Sequence, residues 1–148
     1  MAELNYKIRS ATKGDLKAVH AIELECFSNP WKLKSFLREL KIPFSRFYVV
    51  EFQNKIIAYA IAWNVKGEIQ LNKIAVMKEY RFQGIGRSLI DHIISDLMPS
   101  GAKEIHIEVR EMNSVARIFY KKIGFAEIGK RENYYYNDHA ILMRKDLS

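Results

Sequence analysis

The sequence predicts an α/β fold with a mixed central sheet flanked by helices, and three observations carry that prediction. First, an apolar run, Ile74-Ala75-Val76, enters a glycine-punctuated turn, Arg81-Phe82-Gln83-Gly84-Ile85-Gly86-Arg87, after which a helical pattern leads to a β-rich run at Glu104 to Val109. A strand, helix, strand unit of this kind crosses over right-handed and leaves its two strands parallel. Second, Phe47 to Phe52 and Ile56 to Val65 are β-rich runs separated by Gln53-Asn54-Lys55, the spacing of an antiparallel hairpin. Third, a chain of 148 residues is long enough for a proper core and too short for two, so one domain over residues 1–148 is expected.

The elements follow in order. Lys7 to Arg9 reads as a short first strand. Thr12 is placed to cap a helix, with Asp15 three residues later in its first turn. Leu16, Val19, Ile22, Cys26 and Phe27 give that helix one apolar face at helical spacing. Pro30 and Trp31 interrupt it, and Leu33, Phe36, Leu37 and Leu40 predict a second helix that stops before Pro43. Beyond the hairpin, Gly67 marks a turn and Ile69 to Met77 forms the strand that enters the glycine turn. Gly84 to Met98 carries Ile85, Leu89, Ile93, Ile94 and Leu97 on the crossover helix, ended by Pro99-Ser100-Gly101. Asn113 to Lys122 reads as another helix, stopped by Gly124, and Phe125 to Ile128 and Ala140 to Met143 finish the sheet. There is no internal repeat, low-complexity segment or linker.

Composition narrows the setting. About half of the residues are apolar, as in globular proteins. The single Cys26 excludes an internal disulfide, and Met1-Ala2-Glu3-Leu4-Asn5-Tyr6 has no basic segment leading into an apolar stretch. No apolar run approaches the roughly 18 to 20 residues that span a bilayer. A soluble, cytoplasmic protein with no membrane partner is expected. The net charge of +7 favours polyanionic partners such as coenzyme A, RNA or a ribosomal surface without choosing among them, and is equally the charge of a solvated lysine-rich surface. Aromatic-and-basic RNA signatures, zinc-finger spacings and long charge blocks are absent, and no DNA partner is expected.

The glycine turn is suited to an anion. A helix N-terminus carries unpaired N–H groups and the positive end of the peptide dipoles, and Gly84 and Gly86 lack a Cβ that would hold backbone away from phosphate oxygens. A Walker loop would need four residues between its glycines and then Gly-Lys-Ser/Thr, which Gly84-Ile85-Gly86-Arg87-Ser88 does not supply. A dinucleotide fingerprint would need a third glycine where Leu89 stands. What remains, Arg-x-x-Gly-x-Gly after an apolar strand, resembles the acetyl-CoA signature of the GNAT N-acetyltransferases. The same glycines also suit an ordinary strand-to-helix turn.

On the strand after the crossover helix, Ile105, Ile107 and Val109 point one way while Glu104, His106, Glu108 and Arg110 point the other. A parallel strand flanked by helices is usually apolar on both faces, so the polar face either meets water or lines a reaction cleft. The next segment, Asn113-Ser114-Val115-Ala116-Arg117-Ile118-Phe119-Tyr120-Lys121-Lys122-Ile123-Gly124-Phe125, is similar to the second GNAT signature, in the expected order and at the expected distance. Glu108-Val109-Arg110, Asn29-Pro30-Trp31 and Gly129-x-Arg131-x-x-Tyr134-Tyr135 resemble the ribosomal-protein alanine N-acetyltransferases within that superfamily. The similarity runs from about Ile8 to Met143, with Phe82 and Phe119 as mild departures.

The resemblance implies a GNAT (acyl-CoA N-acyltransferase) fold and direct transfer of acetyl from acetyl-CoA to an amine in a ternary complex. It implies that acetyl-CoA is held by Ile74, Ala75, Val76, Arg81, Phe82, Gln83, Gly84, Ile85, Gly86, Arg87, Asn113 and Tyr120. It places Glu108 as the catalytic base, accepting the amine proton directly or through water, and Tyr120 as the catalytic acid that protonates the departing thiolate. A backbone N–H near Ala75 to Met77 would polarise the carbonyl, where the two parallel strands are implied to splay. The plainer alternatives are a surface Glu108 paired with Arg110 and a core Tyr120. Trp31, Tyr134 and Tyr135 either wall a narrow slot for a chain terminus, favouring a small first residue such as alanine, or pack as ordinary aromatics. The implied partner is the N-terminus of a protein, with a ribosomal protein leading. Cys26 has no basic neighbour in sequence and reads as a helix-face hydrophobe; the histidines lack zinc spacing, and no metal is expected. The rival readings are an acetyltransferase of wider N-terminal, lysine or small-amine specificity, and a non-catalytic module that binds coenzyme A, nucleotide or RNA.

Overall fold

A computed structural model describes residues 5–135 and 138–147. It contains β1 (Lys7–Ser10), α1 (Leu16–Cys26), α2 (Leu33–Glu39), the hairpin β2 (Ser45–Phe52) and β3 (Lys55–Val65), then β4 (Glu68–Val76), α3 (Ile85–Leu97), β5 (Glu104–Arg110), α4 (Ser114–Lys122), β6 (Ala126–Tyr135) and β7 (Asp138–Asp146). Seven strands form one sheet in the order β1-β2-β3-β4-β5-β7-β6. The β4–β5 pair is parallel, as the crossover requires, and the other pairs are antiparallel. Gln53 and Asn54 turn the hairpin with φ of 51° and 62°, the left-handed pair that a two-residue loop between twisted strands selects.

Helices cover both faces. On one, α3 and α4 pack Ile85, Leu89, Ile90, Ile93 and Tyr120 against Ile57, Ile69, Ile105 and Ile107. On the other, α1 and α2 bring Leu16, Val19, Ile22 and Phe36 onto Phe47, Val49, Tyr59 and Ile61. Strand β3, sandwiched between the two layers, is fully buried from Ile57 to Ala62, which is why its sequence is apolar without alternation. The sheet contacts of α1 run to β3 and β4. Among the described residues no helix is long and apolar enough to cross a membrane.

Several boundaries differ from the sequence reading. Strand β6 runs well past Ile128 because its pairing with β7 resumes at Tyr135 opposite Asp138, through polar residues that carry no apolar alternation, and β7 runs past Met143 because Arg144 to Asp146 pair with His106 to Glu104 of β5. Phe27 lies just past the end of α1, exposed rather than on its apolar face. Thr12 opens a single 3₁₀ turn, Lys13–Asp15, before α1 begins.

Asp15 does more there than complement a helix dipole. It receives the Thr12 N–H at 2.8 Å and a two-pronged contact from Arg9, Nη1 at 2.8 Å and Nη2 at 2.9 Å. The Arg9 hydrogen bond chiefly, joined by those from Thr12 and opposed by burial, holds the carboxyl down at about 2. A carboxylate depressed below its unfolded value of about 3.9 contributes stability above that pH and loses it as pH falls toward 2. The urea midpoint of the wild type is therefore expected to drop between pH 5 and 2.5 more steeply than that of Asp15→Asn; parallel curves would refute the assignment.

Candidate active site

The site begins as a failure of pairing. Strands β4 and β5 are joined only at Glu68 with Glu104, Ile69 with Ile105 and Gln70 with His106. Just beyond, the β3–β4 register slips where Ile61 pairs with Lys73 and Ala62 with Leu71, leaving Asn72 as the extra residue of a bulge. A bulge bends its strand, and β4 from Lys73 to Val76 then stays with β3 while β5 stays with β7 out to Arg110 opposite Ala140. Met77 gives its N–H to Ile57 at 2.9 Å, so by strand alternation the amides of Ile74 and Val76 face the gap. Of the amides from Ala75 to Met77, those of Ala75 and Met77 are turned to β3 and that of Val76 faces the gap.

At the end of β4 the chain passes through Lys78–Tyr80 into the glycine turn and α3. Gly84 sits at φ 84°, and a Cβ built there would meet nothing within 4 Å, whereas one on Gly86 would lie 3.5 Å from the Phe119 ring. Backbone conformation therefore favours glycine at the first position, while at the second a Cβ would make only ordinary contact with α4. Ser88 is the first residue to donate into the helix, to Gly84 at 3.0 Å, which leaves the Ile85, Gly86 and Arg87 amides in the turn where an α-helix supplies no acceptor. Arg81, at the surface, folds back along the chain: Nε donates to the Val76 carbonyl at 3.1 Å and Nη2 to Cys26 Sγ at 3.2 Å. Cys26 thus does have a basic partner, from a segment far away in sequence. Burial raises its thiol, with Arg81 opposing, so it is no ready thiolate.

Glu108 lies on the face of β5 opposite Ile107 and Val109, which are buried under α3 and α4. Its Oε1 is 3.2 Å from Arg131 Nη1 on β6, an ion partner other than the Arg110 weighed from sequence. Both line a small cleft of about 110 Å³ with Gln70, His106, Ile128 and Leu142. Tyr120 is on the other face, buried between the rings of Phe119 and Phe125 at 5.1 and 5.4 Å. Burial pushes its phenol well above the usual range, so the hydroxyl stays protonated at any physiological pH. The β4–β5 gap is the opening in the sheet between these two faces. Asn113 caps α4, its Oδ1 accepting from Ala116 N–H at 3.1 Å, which leaves its NH₂ as the group free of the cap.

The aromatic residues fall into two groups. Tyr134 is exposed on β6 with the Arg131 guanidinium 5.3 Å from its ring, so Arg131 links it to Glu108. The side chain of Tyr135 lies outside the described residues. Trp31 belongs to the α1–α2 side, 5.2 Å from Phe36. The Lys73 ammonium sits over both Trp31 and Phe27, 4.8 and 4.1 Å from their centroids. Beneath them is Glu23, fully buried, which accepts from the Tyr59 hydroxyl, from Lys73 Nζ at 2.6 Å and from the Trp31 N–H at 2.9 Å.

With this geometry in view, the sequence profile of the acetyltransferase (GNAT) family matches residues 16–125. The chain belongs to the GNAT acetyltransferase family. It is 35% identical over 145 residues to the [ribosomal protein bS18]-alanine N-acetyltransferase of Escherichia coli K12, covering 95% of this chain and 97% of the relative. It is 34% identical over 121 residues to the enzyme of that name from Haemophilus influenzae, covering 82% of each. The crystal structure of the ribosomal-protein-S18-alanine N-acetyltransferase from Escherichia coli superposes with a TM-score of 0.89 at 33% identity, covering 97% of this chain and 94% of that one.

As a GNAT enzyme, the protein is an acetyl-CoA-dependent N-acyltransferase. The glycine turn leaves open space at Gly84 and, at the head of α3, amides that precede the first hydrogen bond of the helix. The sequence reading missed the Glu23–Lys73–Tyr59 cluster. A signal was present only for Glu23, which falls four residues after Val19 on the buried face of α1; Lys73 follows Gln70 and Asn72 in a strand of mixed polarity. His106 Nε2 donates to the Glu104 carboxylate at 2.8 Å, and with Glu68 these form a trio whose ligating atoms lie within 4.8 Å of one another at the paired end of β4 and β5.

Proposed function

We propose that the protein transfers the acetyl group of acetyl-CoA to the N-terminal α-amino group of a protein in the cytoplasm, with a ribosomal protein beginning in alanine as the leading substrate. The observation that carries this reading is the β4–β5 gap, which joins a glycine anion cradle at the head of α3 to a carboxylate on one face and a buried phenol on the other. The names of the Escherichia coli and Haemophilus influenzae relatives support the acceptor class.

Acetyl-CoA supplies a thioester carbonyl and a thiol leaving group. The cradle from Arg81 to Arg87 would hold its pyrophosphate, with Arg81 bracing the turn onto Val76 rather than reaching outward. The NH₂ of Asn113 would hold the donor's arm. The N–H of Val76 would donate to the carbonyl oxygen as negative charge develops there. An α-amino group with a pKa of about 7.7 to 8.0 is roughly one-tenth neutral at pH 7, so Glu108 has only to take the proton that the amine sheds on bond formation, directly or through one water. Arg131 holds the carboxylate in place from β6. Tyr120, kept protonated by burial, would deliver its proton to the departing sulfur. Trp31 and Tyr134 would stand on either side of the entering chain terminus and discriminate against a bulky first side chain.

Mass spectrometry of a peptide panel after incubation with acetyl-CoA tests this directly. Alanine-initiated peptides are expected to gain one acetyl group on the α-nitrogen, and faster than peptides beginning with methionine or phenylalanine. Equal rates on those peptides and on a free polyamine would overturn the acceptor assignment.

A further inference from the structure

Phe82 is 92% exposed, the most exposed large apolar side chain among the described residues, and stands at φ 62° in the middle of the donor turn. The segment around it is tied down. Arg81 is bonded to Val76 and Cys26 on one side, and Gln83 Nε2 donates to the Glu79 carbonyl at 3.4 Å on the other. The phenyl ring is thus presented to solvent from a fixed frame. Folding draws no benefit from it, for the ring buries almost nothing, and its left-handed backbone is one that glycine adopts without the Cβ clash. A residue that is unfavourable to the free fold in two ways, two positions before Gly84, calls for a partner outside the fold.

The partner on hand is the donor itself. Acetyl-CoA is a nucleotide thioester, and its purine lies on the far side of the pyrophosphate from the reacting carbon. A pyrophosphate seated on the amides after Gly84 brings the nucleotide to the outer lip of the turn, where Phe82 stands. An exposed aromatic face is the surface on which a base stacks. Resting on the reading of the glycine turn given above, we infer that the Phe82 ring stacks on the purine of bound acetyl-CoA and makes Phe82 a donor-specificity residue, favouring the nucleotide thioester over acyl thioesters that lack the nucleotide.

The test is calorimetric titration of CoA and of pantetheine, which shares the thiol arm but lacks the nucleotide, into wild type, Phe82→Ala and Phe82→Trp. Phe82→Ala is expected to weaken CoA by about tenfold with pantetheine unaffected. Phe82→Trp is expected to retain CoA affinity and to add indole emission that CoA quenches and pantetheine does not. Phe82→Gly should bind CoA as weakly as the alanine variant while melting higher than wild type, because the backbone conflict is gone. Unchanged CoA affinity in Phe82→Ala, or equal losses for CoA and pantetheine, would overturn the inference; a loss confined to peptide affinity would overturn it in favour of an acceptor contact. If wild type binds CoA yet acetylates no peptide, the proposed reaction fails while the stacking assignment stands.

Discussion

Glu108→Gln is expected to lower kcat on an alanine-initiated peptide by about 10²- to 10⁴-fold, the range for loss of a positioned general base, with CoA affinity within about twofold of wild type. Glutamine keeps the shape of the side chain and its contact distance to Arg131 but cannot accept the amine proton. The separation of effects follows from position: Glu108 is on the opposite face of β5 from the α3 layer that carries the cradle. Tyr120→Phe should show a comparable loss with the packing against Phe119 and Phe125 preserved. A kcat within threefold of wild type for Glu108→Gln would remove it from the mechanism, leaving water or the amine's own neutral fraction to suffice.

The second large effect concerns stability. Glu23→Ala is expected to cost about 3–5 kcal/mol, because it leaves the Lys73 ammonium, only 11% exposed, without its counter-charge. For a chain of this size that corresponds to a fall in Tm of roughly 10 °C. The Tyr59 hydroxyl and the Trp31 N–H lose their acceptor at the same time. Burial, reinforced by the neighbouring Glu23, raises the Tyr59 phenol, so it remains a donor throughout. Combining Glu23→Ala with Lys73→Met should restore much of the loss, since the buried charge is then gone. The double variant should still bind peptide less well, because Glu23 fixes the backbone at Trp31. Single variants that melt within 2 °C of wild type would show that water reaches this cluster.

The parts of the molecule visible in sequence are those written in short-range pattern. The left-handed pair Gln53-Asn54, the amphipathic run from Ile85 to Leu97 and the glycine turn each express a constraint among residues within a turn or two. The parallel alignment of β4 and β5 followed from chain chirality. What stayed hidden is what the topology brings together from afar. Lys73 reaches Glu23 across 50 positions, and Arg81 reaches Cys26 across 55. Nothing local distinguishes such a lysine from a solvated one until the sheet is assembled. The Arg131–Glu108 contact was hidden for a related reason: β6 carries Lys130, Arg131, Glu132 and Asn133, residues without alternation, and only its pairing with β7 reveals it as a strand.

The order β5-β7-β6 has a consequence for the chain as it is being made. Strand β6 is synthesised before β7 but has no neighbour in the sheet until β7 slides in between it and β5. Until that moment β5, which carries Glu108, presents one bare edge along its whole length and is joined to β4 at only three positions. Closing the sheet around the cleft is therefore a late, non-local event of the sort that makes β-rich topologies slow and briefly adhesive. A nascent chain can complete its hairpin, its glycine turn and both layers of helices before β7 arrives to close the open edge of β5, the strand that carries Glu108.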